Sequence, residues 1–166
     1  MRFAIFCAIL LFVSCQPAPS PEMTDAQRTA IEQIIRQQGE EYFASLAALD
    51  ADRAMVHFAK DDFSYVGQVD GRTLVYPSYE AWSDHIRDAM FNLSEFQLGW
   101  DQIRVYVLSQ DAAVFHGKFH SLYKFKDGNT LNHPEGFWTA LHERRDGVWK
   151  IVFVHASARS LSTERE

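Results

Sequence analysis

Apolar positions in this chain change period partway along it. Between residues 25 and 49, Ile31, Ile35, Gln38, Tyr42, Leu46 and Leu49 recur every three or four positions, with Ile34 and Phe43 beside them. That spacing predicts one buried face of a long helix. Thr24 and Gln27 stand three apart, as a capping box requires. Gly39 falls inside the helix at a cost of about 1 kcal/mol relative to Ala, so a close contact or a bend is expected there. Asp50 caps a second, short helix over 51–59, whose apolar residues are Ala54, Val56 and Phe58 and which Asp61 and Asp62 end. Residues 63–69 alternate as a strand and Asp70-Gly71 forms a turn. Pro77 and Ser78 open a third helix over 78–94, with Trp82, Ile86, Met90 and Leu93 on one face.

From Glu95 onward the period becomes two. Segments 95–109, 112–126, 130–145 and 147–158 are rich in strand formers and are joined by short turns. Asp146-Gly147 carries the signal of a tight hairpin. Pro134-Glu135-Gly136 interrupts the third segment, where a bulge or bend is expected. Helix, helix, strand, helix and a four-strand meander together predict an α+β fold. Three helices pack on a strongly bent antiparallel sheet, which leaves a cone-shaped concavity.

The first 14 residues hold Arg2 and then an apolar run ending at Val13-Ser14. The run is too short to span a bilayer, which takes about 20 residues, and its layout is that of a secretory signal. Cys15, directly after it, resembles the lipobox cysteine of bacterial lipoproteins, although Phe12 stands where that motif usually has Leu. The resemblance implies a lipid on Cys15 and an anchored, extracytoplasmic protein in a bacterial envelope. Gln16 after the cysteine implies outer-membrane sorting in a Gram-negative cell. The alternative is an ordinary signal peptide with an incidental cysteine. Residues 15–23 hold three of the five prolines and read as an extended tether. Residues 24–158 then form one domain, and 159–166 a polar tail.

Composition narrows the partners. The net charge is −6, and loss of Arg2 with the leader makes it one unit more negative. An acidic domain with dispersed charge lacks the basic footprint of a nucleic-acid binder. The only cysteines are Cys7 and Cys15, so the folded part has no disulfide and no thiol chemistry. Aromatic residues make up 14 % of the chain, enough to line an apolar pocket as well as a core.

Over residues 25–158 the chain resembles the nuclear transport factor two-like superfamily, and within it the SnoaL-like branch, related to polyketide cyclases and ketosteroid isomerases. Three patterns carry the resemblance. One is the run from Leu49-Asp50 through Phe58-Ala59-Lys60-Asp61-Asp62. Another is Asp70-Gly71 followed by the helix over 78–94. The third is Phe137-Trp138-Thr139-Ala140-Leu141-His142 continuing to Val154-His155-Ala156-Ser157. It implies a cone-shaped fold that hosts enzymes, ligand binders and assembly domains alike.

Candidate chemistry is sparse. Strict alternation puts His155 and Ser157 on one strand face with Trp149, Ile151 and Phe153. That aromatic face is expected to look into the cavity, where His155 offers acid–base catalysis or lines the pocket. Asp62, near Tyr65 at the mouth of the first strand, is the candidate base, its pKa raised by neighbouring rings. Tyr65, Trp82, Trp138, Phe153, His155 and Ser157 are the candidate ligand-binding residues. His116, Lys118 and His120 share the other face of the second long strand and are expected on the convex side. That side is often a dimer interface in the superfamily, which implies a homodimer. His116 and His120 lie about 13 Å apart at ~3.3 Å per residue, too far to share a metal. A zinc site would also need His142 or a similar ligand, so no metal and no cofactor are expected. No phosphate loop, Gly-x-Ser-x-Gly elbow or His-Glu-x-x-His motif is present.

The expected function is binding of a small apolar or amphipathic molecule in the cone. The alternatives are an isomerase, cyclase or dehydratase working by acid–base catalysis, and a dimerising assembly module of the envelope.

Overall fold

The structure is a computed structural model that describes residues 22–161. The leader, Cys15, the tether up to residue 21 and the tail from residue 162 lie outside them. Helix α1 spans Asp25–Ala47. Its capping box forms as expected: Thr24 Oγ1 accepts from the Gln27 amide, and Gln27 Oε1 accepts from the Thr24 amide at 2.9 Å. Helix α2 spans only Ala51–Met55, opened by Asp50, whose Oδ1 accepts from the Arg53 amide. It stops short of residue 59 because the backbone there is taken by the last strand. The Ile151 amide donates to the His57 carbonyl at 2.8 Å, and the Ala59 amide donates to the Ile151 carbonyl at 2.9 Å.

Strand β1 (Ser64–Val69) turns at Asp70-Gly71 into β2 (Arg72–Tyr76), a strand that the sequence pattern does not reveal. Both turn residues have positive φ, 51° and 76°, the geometry of a two-residue hairpin turn. Helix α3 (Tyr79–Phe91) is capped by Ser78. Four long strands complete the chain: β3 (Leu93–Val107), β4 (Ala112–Phe125), β5 (Thr130–Arg145) and β6 (Val148–Arg159). Asp146 and Gly147 turn the last hairpin with φ of 50° and 80°.

One six-stranded sheet results, in the order β2-β1-β6-β5-β4-β3. The β1–β6 pair is parallel and every other pair antiparallel, so the sheet is mixed, whereas the meander alone predicts antiparallel pairing throughout. Two one-residue bulges decide which side chains of β5 and β6 face the helices. Phe119 and Ser121 are two apart on β4, yet their β5 partners, Gly136 and His133, are three apart, so the expected interruption at Pro134-Glu135 is a bulge. On β6, Ile151 and Phe153 are two apart but pair with the adjacent residues His142 and Leu141, so Val152 is the extra residue.

The helices pack on one face of this sheet around an aromatic core. Phe43 stacks on Trp100 with centroids 3.6 Å apart. Tyr42 lies 5.2 Å from Phe58 and 5.3 Å from Trp138. Gly39 has the packing role its position suggested: a Cβ there would come within 2.5 Å of the Phe115 ring, itself fully buried. Helix propensity alone favours Ala by about 1 kcal/mol, but forcing a methyl into a packed core costs about 1–3 kcal/mol. Gly39→Ala should therefore lower the unfolding free energy by up to about 2 kcal/mol in urea titrations. Equal or higher stability would show that the Phe115 ring gives way freely.

Candidate functional site

The core stops short of filling the cone. Between α1, α3 and the inner face of the sheet lies a cavity of about 350 Å3. Tyr42, Phe43 and Leu46 form its α1 wall, Trp82, Ile86 and Met90 its α3 wall, and Phe96, Leu98, Phe119 and Trp138 its sheet wall. Among the described residues, no Lys, Arg, Asp or Glu lines it. Its polar positions are the hydroxyls of Tyr42, Tyr65 and Tyr123, the rings of His85 and His133, Asn92, and Ser157 at the edge.

Two histidines of the wall are of opposite kinds. His133, only 3 % exposed, is held on both sides. Its Nε2 faces Asp70 Oδ2 at 3.3 Å and its Nδ1 faces Ser121 Oγ at 3.4 Å. Asp70 sits in the β1–β2 turn and also accepts from the Ser160 amide. Burial would raise the Asp70 carboxyl, but the hydrogen bonds from Ser160 and His133 outweigh it and hold the pKa below its ordinary value. An ionised Asp70 accepts from the His133 Nε2–H, and Nδ1 shares its hydrogen bond with the Ser121 hydroxyl. Tyr123 crosses the His133 ring edge-on at 5.5 Å. His85, on α3, is stacked instead on Tyr76 at 4.6 Å and on Trp82 at 5.4 Å. Burial lowers its pKa, opposed in part by Asp88.

Of the sequence candidates, Tyr65, Trp82 and Trp138 line the cavity, and Tyr65 stacks on Trp82 at 4.3 Å. Ser157 borders both the cavity and a shallow groove on the outer face, beside Phe137 and Glu135. Phe153 and His155 do not face inward. The Val152 bulge reverses the alternation of β6, so its inward residues are Trp149 and Ile151 before it and Val154 and Ala156 after it. Phe153, 38 % exposed, and His155 point to the outer face. Asp62 is no raised-pKa base either. It is exposed and held by the Arg145 fork, with Nη2 to Oδ2 at 2.8 Å, and that hydrogen bond lowers its pKa. His116, Lys118 and His120 lie on the convex side, with Thr139 Oγ1 at 3.0 Å from His116 Nδ1 and Asp101 Oδ1 at 2.8 Å from His120 Nδ1. Among the described residues, no group of three or more His, Cys, Asp or Glu is placed to hold a metal, and no helix is long and apolar enough to cross a membrane.

The residues that sequence reasoning missed are His133, Asp70 and His85. Strict alternation from Trp138 puts His133 on the outer face, and the Pro134-Glu135 bulge turns it inward. The interruption at Pro134 was the available signal. His85 is three residues from Trp82 on α3, one helical turn along the same face.

A family model described as a SnoaL-like domain matches residues 19–160. No curated protein matches the chain. The fold is similar to that of a candidate scytalone dehydratase from Novosphingobium aromaticivorans, at a TM-score of 0.73 and 10 % identity, covering 86 % of this chain and 94 % of that one. It is similar to a nuclear transport factor 2-like superfamily protein from Salmonella enterica, at 0.70 and 19 % identity, covering 84 % and 98 %. It is also similar to a type 3 hexachlorocyclohexane dehydrochlorinase from Novosphingobium barchaimii, at 0.68 and 20 % identity, covering 86 % and 98 %. At these identities the likeness is one of fold.

His142 lies behind the cavity wall, 1 % exposed, rather than at a metal site. Its Nδ1–H donates to Gln38 Oε1 at 3.3 Å, while Gln38 Nε2 donates to the Trp149 carbonyl at 3.0 Å. Burial, with a smaller contribution from His57, pushes its pKa down to about 3. The unfolded chain takes up this proton near pH 6.5 and the folded chain refuses it, so stability falls as pH drops from about 6.5 toward 3. Between pH 7 and pH 5 His142 alone should lower the unfolding free energy by about 2 kcal/mol, and His57 and His85, whose pKa values burial also lowers, add to the fall. His142→Asn should flatten that slope, and an unchanged slope in this variant would contradict the assignment.

Proposed function

We propose that this chain, which belongs to the SnoaL-like domain family, holds a small apolar or amphipathic molecule in its cone. The observation that carries the reading is the cavity of about 350 Å3, walled by aromatic and aliphatic side chains with only a few polar positions. That is the make-up of a small-molecule pocket. A packed core, by contrast, leaves few voids larger than a water molecule.

A second reading, an acid–base enzyme, is favoured by the Asp70–His133 pair on the cavity wall. Two of the proteins with similar folds are named for elimination reactions, a dehydratase and a dehydrochlorinase. In this reading Asp70 fixes the His133 ring, the bound molecule takes the place of Ser121 at Nδ1, and a proton passes between that nitrogen and the molecule.

The anchor and the copy number are part of the same proposal. A lipid on Cys15 holds the domain at the extracytoplasmic face of a bacterial membrane, and two copies pair through the outer sheet face. In that face Phe153, Leu141, Val114 and Tyr106 form one cross-strand row that carries no charge.

Native mass spectrometry of the full chain from its own envelope tests all of this at once. The expected species carries acyl mass that Cys15→Ser removes, and a small molecule that Ala156→Phe removes. Ala156 is a buried residue of the cavity wall, so a phenyl ring there occupies the pocket. Affinity for the recovered molecule should fall at least tenfold in that variant, while His155→Phe on the outer face should leave it within twofold. An empty protein, or equal binding by both variants, would overturn the pocket reading. Incubating the recovered molecule in heavy water separates the two functions. Deuterium uptake with the native chain but not with His133→Gln means catalysis, and none with either means a binder.

A further inference from the structure

Two histidines that the cone does not use stand in the middle of the outer sheet face. Cross-strand register runs Arg104, His116, Thr139, His155, Val66 and Val75 in one row from β3 to β2. On one side of it lies the charge-free row of Tyr106, Val114, Leu141 and Phe153, and on the other the row that holds Lys118 and Phe137. Tyr106, Phe137, Phe153 and Val75 are exposed, so the field around the two imidazoles is largely apolar. His116 meets the Thr139 hydroxyl at 3.0 Å and lies over Phe137 at 6.3 Å. The charges that face the pair are few, and the nearest are positive. Strand β3 brings Arg104, directly across from His116, and β4 brings Lys118, two residues along. Farther out, β6 adds Lys150 and Arg159. The carboxylates of the face are already taken: Glu135 by Lys118, Glu143 by Arg145 and Asp101 by His120. Strands β1 and β2 turn only Ser64, Val66, Gln68, Thr73 and Val75 outward.

We infer that self-association through this face, which rests on the pairing of two copies proposed above, is switched by protons. Two copies hold together at neutral pH and separate as His116 and His155 become charged. A second copy fits the face because its centre is aromatic and poor in charge, as interface cores are, while its rim charges are balanced within each copy by Lys118–Glu135 and by Arg145 with Asp62 and Glu143. In the free copy His155 is exposed and His116 half-buried, and water can solvate an added proton. Between two sheets that water is lost, and burying an unpaired charge is costly. The row then offers an imidazolium only a neutral hydroxyl and a second cation, Arg104. The separated copies therefore bind more protons than the pair does, so association weakens as pH falls.

Sedimentation equilibrium of the full chain tests this, with Cys15→Ser as background so that no acyl group adds its own association. From about pH 7.5 to about pH 5.5 the dimer Kd should rise at least about 100-fold, the effect of one excluded proton per copy. Far-ultraviolet circular dichroism should show the fold unchanged over that range. The double variant His116→Gln/His155→Gln keeps polar side chains that take no charge, and its Kd should stay within about threefold. Arg104→Glu sets a carboxylate across from His116, and the rise should shrink at least about threefold. A native Kd that ignores pH would overturn the switch and leave the dimer standing. So would an equal rise in the double variant, an undiminished rise in Arg104→Glu, or dissociation that comes only with loss of the fold. A monomer at about pH 7.5 would overturn the pairing and this inference together.

Discussion

A sheet with strands of up to 16 residues covers a helix only if it bends, and this one bends at bulges that each insert a single residue. The two devices at Pro134-Glu135 and at Val152 shift the register of β5 and β6. Each also reverses the alternation of its strand from that point on. The first turns His133 into the cavity, against the Asp70 carboxylate. The second turns Phe153 and His155 out of it and brings in Val154 and Ala156. The polarity of the pocket is thus set by two register shifts as much as by the residues themselves.

The wrapped sheet is then gripped at one end and left open at the other. Tyr42 and Phe43 of α1 pack into Trp100, Trp138 and Phe58, and Gly39 lets the helix backbone come against Phe115. Further along, α3 packs on β1 and β2 through Trp82 and His85, and the β1–β2 hairpin closes the side wall with Val69 and Leu74. Asp70 ties that hairpin to β5 through His133 and to the segment after β6 through Ser160. The same carboxylate therefore shapes the wall and fixes the histidine on which the acid–base reading rests.

Local physics was legible in the chain. The capping box at Thr24, the hairpin at Asp146-Gly147, the long strands and the interruption at Pro134 depend on neighbours within a few residues, and each appears where the pattern puts it. Tyr65, Trp82 and Trp138 were legible as wall residues for the same reason. What could not be read depends on partners far along the chain. Helix α2 ends early because β6 claims the backbone of His57 and Ala59, and β2 exists because β1 pairs with it. Asp62 meets Arg145, 83 positions away, which lowers its pKa where aromatic neighbours alone suggested a rise. The inward turn of His133 and the outward turn of His155 follow from cross-strand register, which no single strand reveals.

The central claim is that this cone is an open apolar pocket and not a filled core. The most direct measurement is an indole 15N–1H correlation spectrum of the full chain with benzene added, because an apolar cavity admits such a probe. Trp82 and Trp138 line the pocket, whereas Trp100 and Trp149 belong to the packed core. The account predicts saturable shifts of the Trp82 and Trp138 signals with those of Trp100 and Trp149 nearly still. Four unmoved signals, or four that move alike, would contradict it.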